Sequence, residues 1–167
     1  MAALLSNLLG ALALGCADLQ HVAMGRAAGL GAAELAALLA VFTRPGSTIG
    51  EVASTTALTH SGAVRVTDRL AAAGLVKRRE GRDRRTVTLR CTAAGRERAE
   101  HALAARRAAL GALVATLPSA DAATLRRLAA RLLARLPADR AEARRICRLC
   151  EHAVCRGTDC PVGSAVS

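Results

Sequence analysis

Tryptophan and tyrosine are missing from this chain, and Phe42 is its one phenylalanine. A core without large rings must be built from small aliphatic side chains, and a stacked aromatic pocket for an effector is disfavoured. No lysine or arginine occurs before Arg26, so the apolar opening over residues 1–17 lacks the cationic start of a secretory signal. Ser6 and Asn7 interrupt that opening, and it is shorter than a bilayer-spanning helix requires. It reads as a buried helix facing a second subunit, in a cytoplasmic protein with no membrane partner. No internal repeat is present. No acid–base pair, no nucleophile with a partnered histidine and no phosphate-binding glycine loop is evident, so the chain carries no enzyme signature.

What the chain has in quantity is alanine, leucine and arginine. Hydrophobic residues make up 52% of its 167 positions, enough for one compact domain with a short appendage. Alanine and leucine are strong helix formers and suit close helix packing. Each alanine methyl buries little area, so a second copy sharing helices across an interface would recover the missing burial. The formal net charge is +11, carried overwhelmingly by arginine, and such an excess favours a polyanionic partner. An arginine-rich, alanine-rich chain also arises from GC-rich coding DNA, so the position of the charge has to carry the argument.

Leu4, Leu8, Leu12 and Cys16 recur every four residues, and Leu19, Val22 and Ala23 prolong the stripe until Gly29, Leu30 and Gly31 break it. Residues 32–42 form a second helix with Leu35, Leu38, Leu39 and Phe42 on one face. A loop over residues 44–47 follows, and Thr48 caps a short helix over residues 49–55. A further helix runs to about residue 73, with Ala63, Val66, Leu70 and Ala73 on one face and Ser61, Arg65, Asp68, Arg69 and Ala72 on the other. Two short amphipathic helices, the second with a basic outer face, make a helix-turn-helix pattern. The period then changes from 3.6 to 2 across residues 75–91, with Val87 and Leu89 inward and Thr86, Thr88 and Arg90 outward. The result is a two-stranded wing whose tip and flank carry Lys77, Arg78, Arg79, Arg82, Arg84 and Arg85. Thr92 caps a long helix over residues 93–117, and Ser119 caps a last one through residue 136, ended by Pro137. That last helix sets Leu125, Leu128, Leu132 and Leu136 against Arg127, Arg131 and Arg135, the arginines reading as a solvated face.

The stretch 48–95 resembles the winged-helix family of multiple-antibiotic-resistance regulators (MarR). Ser61, Arg65, Asp68-Arg69-Leu70, Gly74-Leu75-Val76, Arg78-Arg79, Asp83, Arg85, Leu89, Thr92 and Gly95 carry the resemblance in order and spacing. It implies a mainly α fold with a small β-hairpin wing, a DNA-binding core over 33–92 and dimerisation helices over 3–28 and 93–136. The winged-helix domain then spans 1–138, and 139–167 is a cysteine-containing tail. The resemblance also implies a homodimer that places a recognition helix in the major groove and a wing in the minor groove of double-stranded DNA. In the family the arginine matching Arg85 enters the minor groove, steadied by the acid matching Asp83. The expected DNA contacts are Thr59, His60, Ser61, Arg65, Arg69, Arg82, Arg84 and Arg85. Arg69 reads equally as an ion-pair partner, and His60 as a solvated neighbour of the cap. Gly62 near the start of the recognition helix departs from a good helix former. With no tyrosine in the chain, the phenolic partners of the peroxide-sensing branch of the family are missing.

Cys147, Cys150, Cys155 and Cys160 follow the spacing C-x2-C-x4-C-x4-C, in which a knuckle aims two thiolates at one centre and short loops return the other two. Arg145, Arg148 and Arg156 would offset their charge, and His152 is a substitute ligand. Three readings stay open: a closed tetrahedral zinc site, which leads; an iron–sulfur cluster, echoed by Cys160-Pro161; or free thiols and a reversible disulfide without metal. Cys16 and Cys91 read as buried small hydrophobes. The sequence thus describes a transcriptional regulator, a repressor in the leading reading. It sits on a pseudo-palindromic operator, with a small-molecule effector or the state of the tail as modulator. The competing reading is a metal-handling or iron–sulfur electron-transfer protein with a basic docking domain.

Overall fold

Gly29, at φ 60°, ends a helix of 27 residues, α1 (Ala2–Ala28), its backbone N–H closing on the Gly25 carbonyl. The structure is a computed structural model describing residues 1–81, 86–152, 154–155 and 160–166. Contrary to the expectation drawn from residues 1–17, α1 is long and apolar enough to cross a membrane. Its second half is committed to the domain instead. Met24 and Ala28 are buried, and Gln20 Oε1 accepts a hydrogen bond from Arg106 Nε at 2.8 Å.

The remaining helices are α2 (Ala32–Thr43), α3 (Ile49–Thr56), α4 (His60–Ala72), α5 (Ala93–Val114), α6 (Ser119–Leu133), α7 (Arg140–Ile146) and α8 (Pro161–Ser164). The strands are β1 (Ser47–Thr48), β2 (Val76–Glu80) and β3 (Val87–Cys91), in the antiparallel order β1-β3-β2. The hairpin expected from the period-2 pattern therefore gains a third strand, with Ser47 opposite Leu89 and Thr48 opposite Thr88. Within the hairpin Val76 stands opposite Cys91 and Glu80 opposite Val87.

Three threonine caps set the helix starts. The Thr48 hydroxyl accepts from the Glu51 N–H while the Glu51 carboxylate accepts from the Thr48 N–H, a reciprocal pair that satisfies two otherwise unpaired donors. Thr59 accepts from Gly62 N–H, and Thr92 accepts from Gly95 N–H. The α6 start differs from expectation. Pro118 occupies the capping position without a side-chain bond, and Ser119 is already helical.

Leu35, Leu38, Leu39 and Val41 of α2 meet Val52, Val66, Leu70, Leu75 and Leu89 in one buried cluster. Phe42 only packs against its edge. Ala73 and Val87, expected inward, are exposed. Ala73 lies in the turn leading to Gly74, and Val87 pairs with Glu80 at the outer end of the wing, beyond the reach of the core. Cys91 is buried and Cys16 is half-buried. The tail is not a loose appendage. Asp139 caps α7, Leu149 joins the central cluster, and Glu151 receives two hydrogen bonds from Arg107 Nη1, at 2.6 and 2.8 Å.

Candidate nucleic-acid interface

The outer face of α4 is built by a division of labour within one helix. Ala63, Val66, Thr67 and Leu70 are buried, and Thr67 satisfies its buried hydroxyl by donating to the Ala63 carbonyl at 2.8 Å. His60, Ser61, Arg65, Asp68 and Arg69 are exposed on the other side. Two of these are engaged within the chain. Arg69 Nε donates to Glu34 Oε1 at 2.6 Å, bridging α4 to α2, and Glu34 also accepts from the Gly31 N–H at 3.3 Å. The Arg69 hydrogen bond holds the Glu34 carboxyl below its ordinary range. Asp68 receives a hydrogen bond from Arg78 of β2, tying the helix to the root of the wing.

Of the two roles open to Arg69, the structure thus gives it the ion pair. Arg65 makes no ion pair among the described residues. It lies one helical turn beyond Ser61, whose hydroxyl is 3.3 Å from that of Thr59. Gly62 acquires a local reason: a Cβ there would stand 3.0 Å from Thr59 Oγ1 and crowd the cap. On the wing, Lys77, Arg78, Arg79 and Arg90 are exposed. Arg82, Asp83, Arg84 and Arg85 lie outside the described residues.

The sequence does not mark Glu34 and Arg78 as the partners of Arg69 and Asp68. Glu34 lies 35 positions from Arg69, and a pair so distant leaves no local spacing to read. Arg78 stands out in the sequence as part of the Arg78-Arg79 match and of a basic run, neither of which points to Asp68.

The four tail cysteines come together in a different way. Cys147 follows the last turn of α7, Cys150 closes a turn back onto the Cys147 carbonyl at 2.9 Å, and Cys160 caps α8. With Cys155 they line a single cavity of about 360 Å³, which is also walled by Thr43 and Arg44 at the end of α2 and by Thr55 of α3. His152 lies at this cavity too. Among the described residues no three metal-ligating side chains are gathered tightly enough to hold one ion. Burial, followed by the neighbouring Cys150, Cys160 and Cys155 thiols, pushes the Cys147 thiol up to about 12. The arginines at the cavity are Arg44, Arg144 and Arg148. Arg145, expected there, pairs with Glu142 at 3.1 Å instead, and Arg156 lies outside the described residues.

Comparison with known proteins places this geometry. The MarR family profile matches residues 28–86, from the end of α1 into the wing. A search of curated protein sequences finds no match. Among solved structures, the YusO protein of Bacillus subtilis superposes with a TM-score of 0.66 at 23% identity, covering 79% of this chain and 96% of that one. A MarR family protein of Mycobacterium tuberculosis gives 0.64 at 26% identity, covering 79% and 95%. MepR, a transcription regulator of a Staphylococcus aureus multidrug efflux pump, gives 0.69 at 14% identity, covering 79% and 98%. A matching profile over its helix-turn-helix and a winged-helix fold shared along most of its length make the chain similar to MarR-family proteins, with a cysteine-bearing tail in addition.

Proposed function

We propose that the protein is a sequence-specific, cytoplasmic DNA-binding transcriptional regulator. It acts without enzymatic chemistry, as a homodimeric repressor on a pseudo-palindromic operator. The observation that carries this reading is the outer face of α4. Asp68 and Arg69 are spent on orienting the helix, while Ser61 and Arg65 are left exposed. A helix fixed in this way fits the major groove, and a basic hairpin beside it reaches the adjacent minor groove.

The apolar residues left uncovered on one chain support the dimer. Leu4, Leu5, Leu8 and Leu9 of α1 are at least half exposed, and α6 has no buried residue although Leu125, Leu128 and Leu132 line it. Monomeric proteins rarely leave large apolar patches in water. Two-fold symmetry then sets the half-sites about one helical turn apart. A cavity of about 570 Å³ between Phe42 of α2, Leu103 and Arg107 of α5, and Glu151 has room for a small effector.

The test is duplex binding by the Arg85→Ala chain over a series of salt concentrations. Weaker binding with a shallower salt dependence is expected, since one phosphate-region cation is removed. Unchanged affinity and slope would remove Arg85 from the interface.

A further inference from the structure

We propose that Cys147, Cys150, Cys155 and Cys160 ligate an iron–sulfur cluster in the cavity between the tail and helices α2 and α3, and that its occupancy sets how firmly the helix-turn-helix is held. Four thiols of the tail line one cavity. None of the four is committed to a disulfide.

Size separates a cluster from a single ion. Zinc holds each of its sulfurs about 2.3 Å from one point, which would draw all four thiols into one tight group. No such group exists among the described residues. The four cysteines instead share with other residues the lining of a cavity of about 360 Å³, many times the ~30 Å³ share of one water molecule. That arrangement suits a multi-atom core in which each peripheral iron takes one thiolate and sulfide bridges the irons.

The surroundings suit a group that is negative overall. Arg44, Arg144 and Arg148 stand at the cavity, and the Gly163 N–H donates to Cys160 Sγ at 3.2 Å, the kind of bond that stabilises a metal-bound thiolate. Ala143 and Val162 are buried beside it. On assembly each ligating thiol gives its proton to solvent and forms one sulfur–iron bond, with two ferrous ions, two ferric ions and four sulfides as the co-reactants, so no electron has to leave the site.

The cavity wall carries the coupling. Arg44 ends the helix that leads into the helix-turn-helix and Thr55 lies in its first helix, and Arg44 is also 3.7 Å from Glu51 of α3. Helix α3 passes directly to α4 through Ala57, held at φ 57°. Helix α7, whose end bears Cys147, packs on α3. A filled cavity fixes this contact; an empty one loosens it. The coupling rests on the regulator reading, whereas the cluster itself does not.

The experiment reconstitutes the full chain anaerobically with equal amounts of ferrous and ferric iron and with sulfide. A brown protein with visible absorption and equal iron and acid-labile sulfide is expected. The Cys147→Ala and Cys160→Ala chains should lose the colour, and Cys16→Ala should keep it. Should a tail variant fail to fold, alkylation mapping of the original chain replaces it, with the four tail thiols protected only in the loaded form. A colourless chain that takes up one zinc instead, or alkylation indifferent to loading, would overturn the cluster. On a selected operator, loaded and empty chains should differ at least about fivefold in affinity, the lower end of ordinary coupling. Equal affinity would overturn the coupling alone. Failure of both forms to bind any duplex selectively would overturn the regulator reading and with it the coupling, while the iron and sulfide content still decides the cluster.

Discussion

The Gly95 Cα faces the Leu75 carbonyl so closely that a Cβ at residue 95 would stand 1.9 Å from its oxygen. The same carbonyl accepts the Thr92 N–H at 3.0 Å, and the Thr92 hydroxyl donates to the Gly74 carbonyl at 2.7 Å. The start of α5 is thereby set directly on the turn that ends the recognition helix. Movement of α5 and movement of α4 are mechanically joined at this point.

Gly95→Ala should therefore be strongly destabilising. Its Cβ meets rigid backbone rather than a side chain that can rotate away, so the loss should exceed the ~1–3 kcal/mol of an ordinary overpacked site. Chemical denaturation of the variant against the parent chain measures it. A midpoint unchanged within error would show that the approach of Gly95 to Leu75 is looser than described.

The Glu34–Arg69 pair should contribute stability with a defined pH dependence. The Glu34 carboxyl is held below its ordinary value of 4.5 by the Arg69 hydrogen bond. A lowered folded-state value means the contribution is present above 4.5 and fades as pH falls through the lower folded value. Arg69 is more than half exposed, which confines the pair to at most about 1 kcal/mol. Urea unfolding of Glu34→Gln should lie slightly below the parent at pH 7 and converge with it in acid. A constant gap at both pH values would remove the ion pair as its cause.

Much of this architecture is legible in the sequence because it rests on local rules. Thr48, Thr59 and Thr92 announce helix starts, since a hydroxyl three residues ahead of an unpaired N–H is a local arrangement. Gly29 announces a stop for the same reason. Strand β1 leaves no such trace, because two residues carry no period. Helix α7 hides in an arginine-rich stretch whose only apolar anchors are Ala143 and Ile146. At the interface, Ser61 and Arg65 can be read from one helix face, but the partners of Asp68 and Arg69 depend on tertiary proximity. The convergence of the four cysteines on the helix-turn-helix depends on it too.

Arg65→Ala should weaken operator binding by about 1–3 kcal/mol, roughly ten- to a hundredfold, if it reads a base edge. Thermal unfolding should not change, because the side chain has no ion-pair partner among the described residues. A fall in stability parallel to the fall in affinity would instead assign Arg65 a structural role.

Leu128→Glu should convert a dimer into a monomer. Leu128 is 45% exposed on a helix that buries nothing within its own chain, so a charge there costs little until two copies meet. Sedimentation should report twice the chain mass for the parent and the chain mass for the variant. A parent that is already monomeric at micromolar concentration would contradict the dimer.

Selection of genomic fragments by the purified protein at moderate salt tests the central claim most directly. The account predicts enrichment of a fragment containing an inverted repeat, with half-sites about one helical turn apart. Retention of genomic and random DNA in equal measure would contradict it.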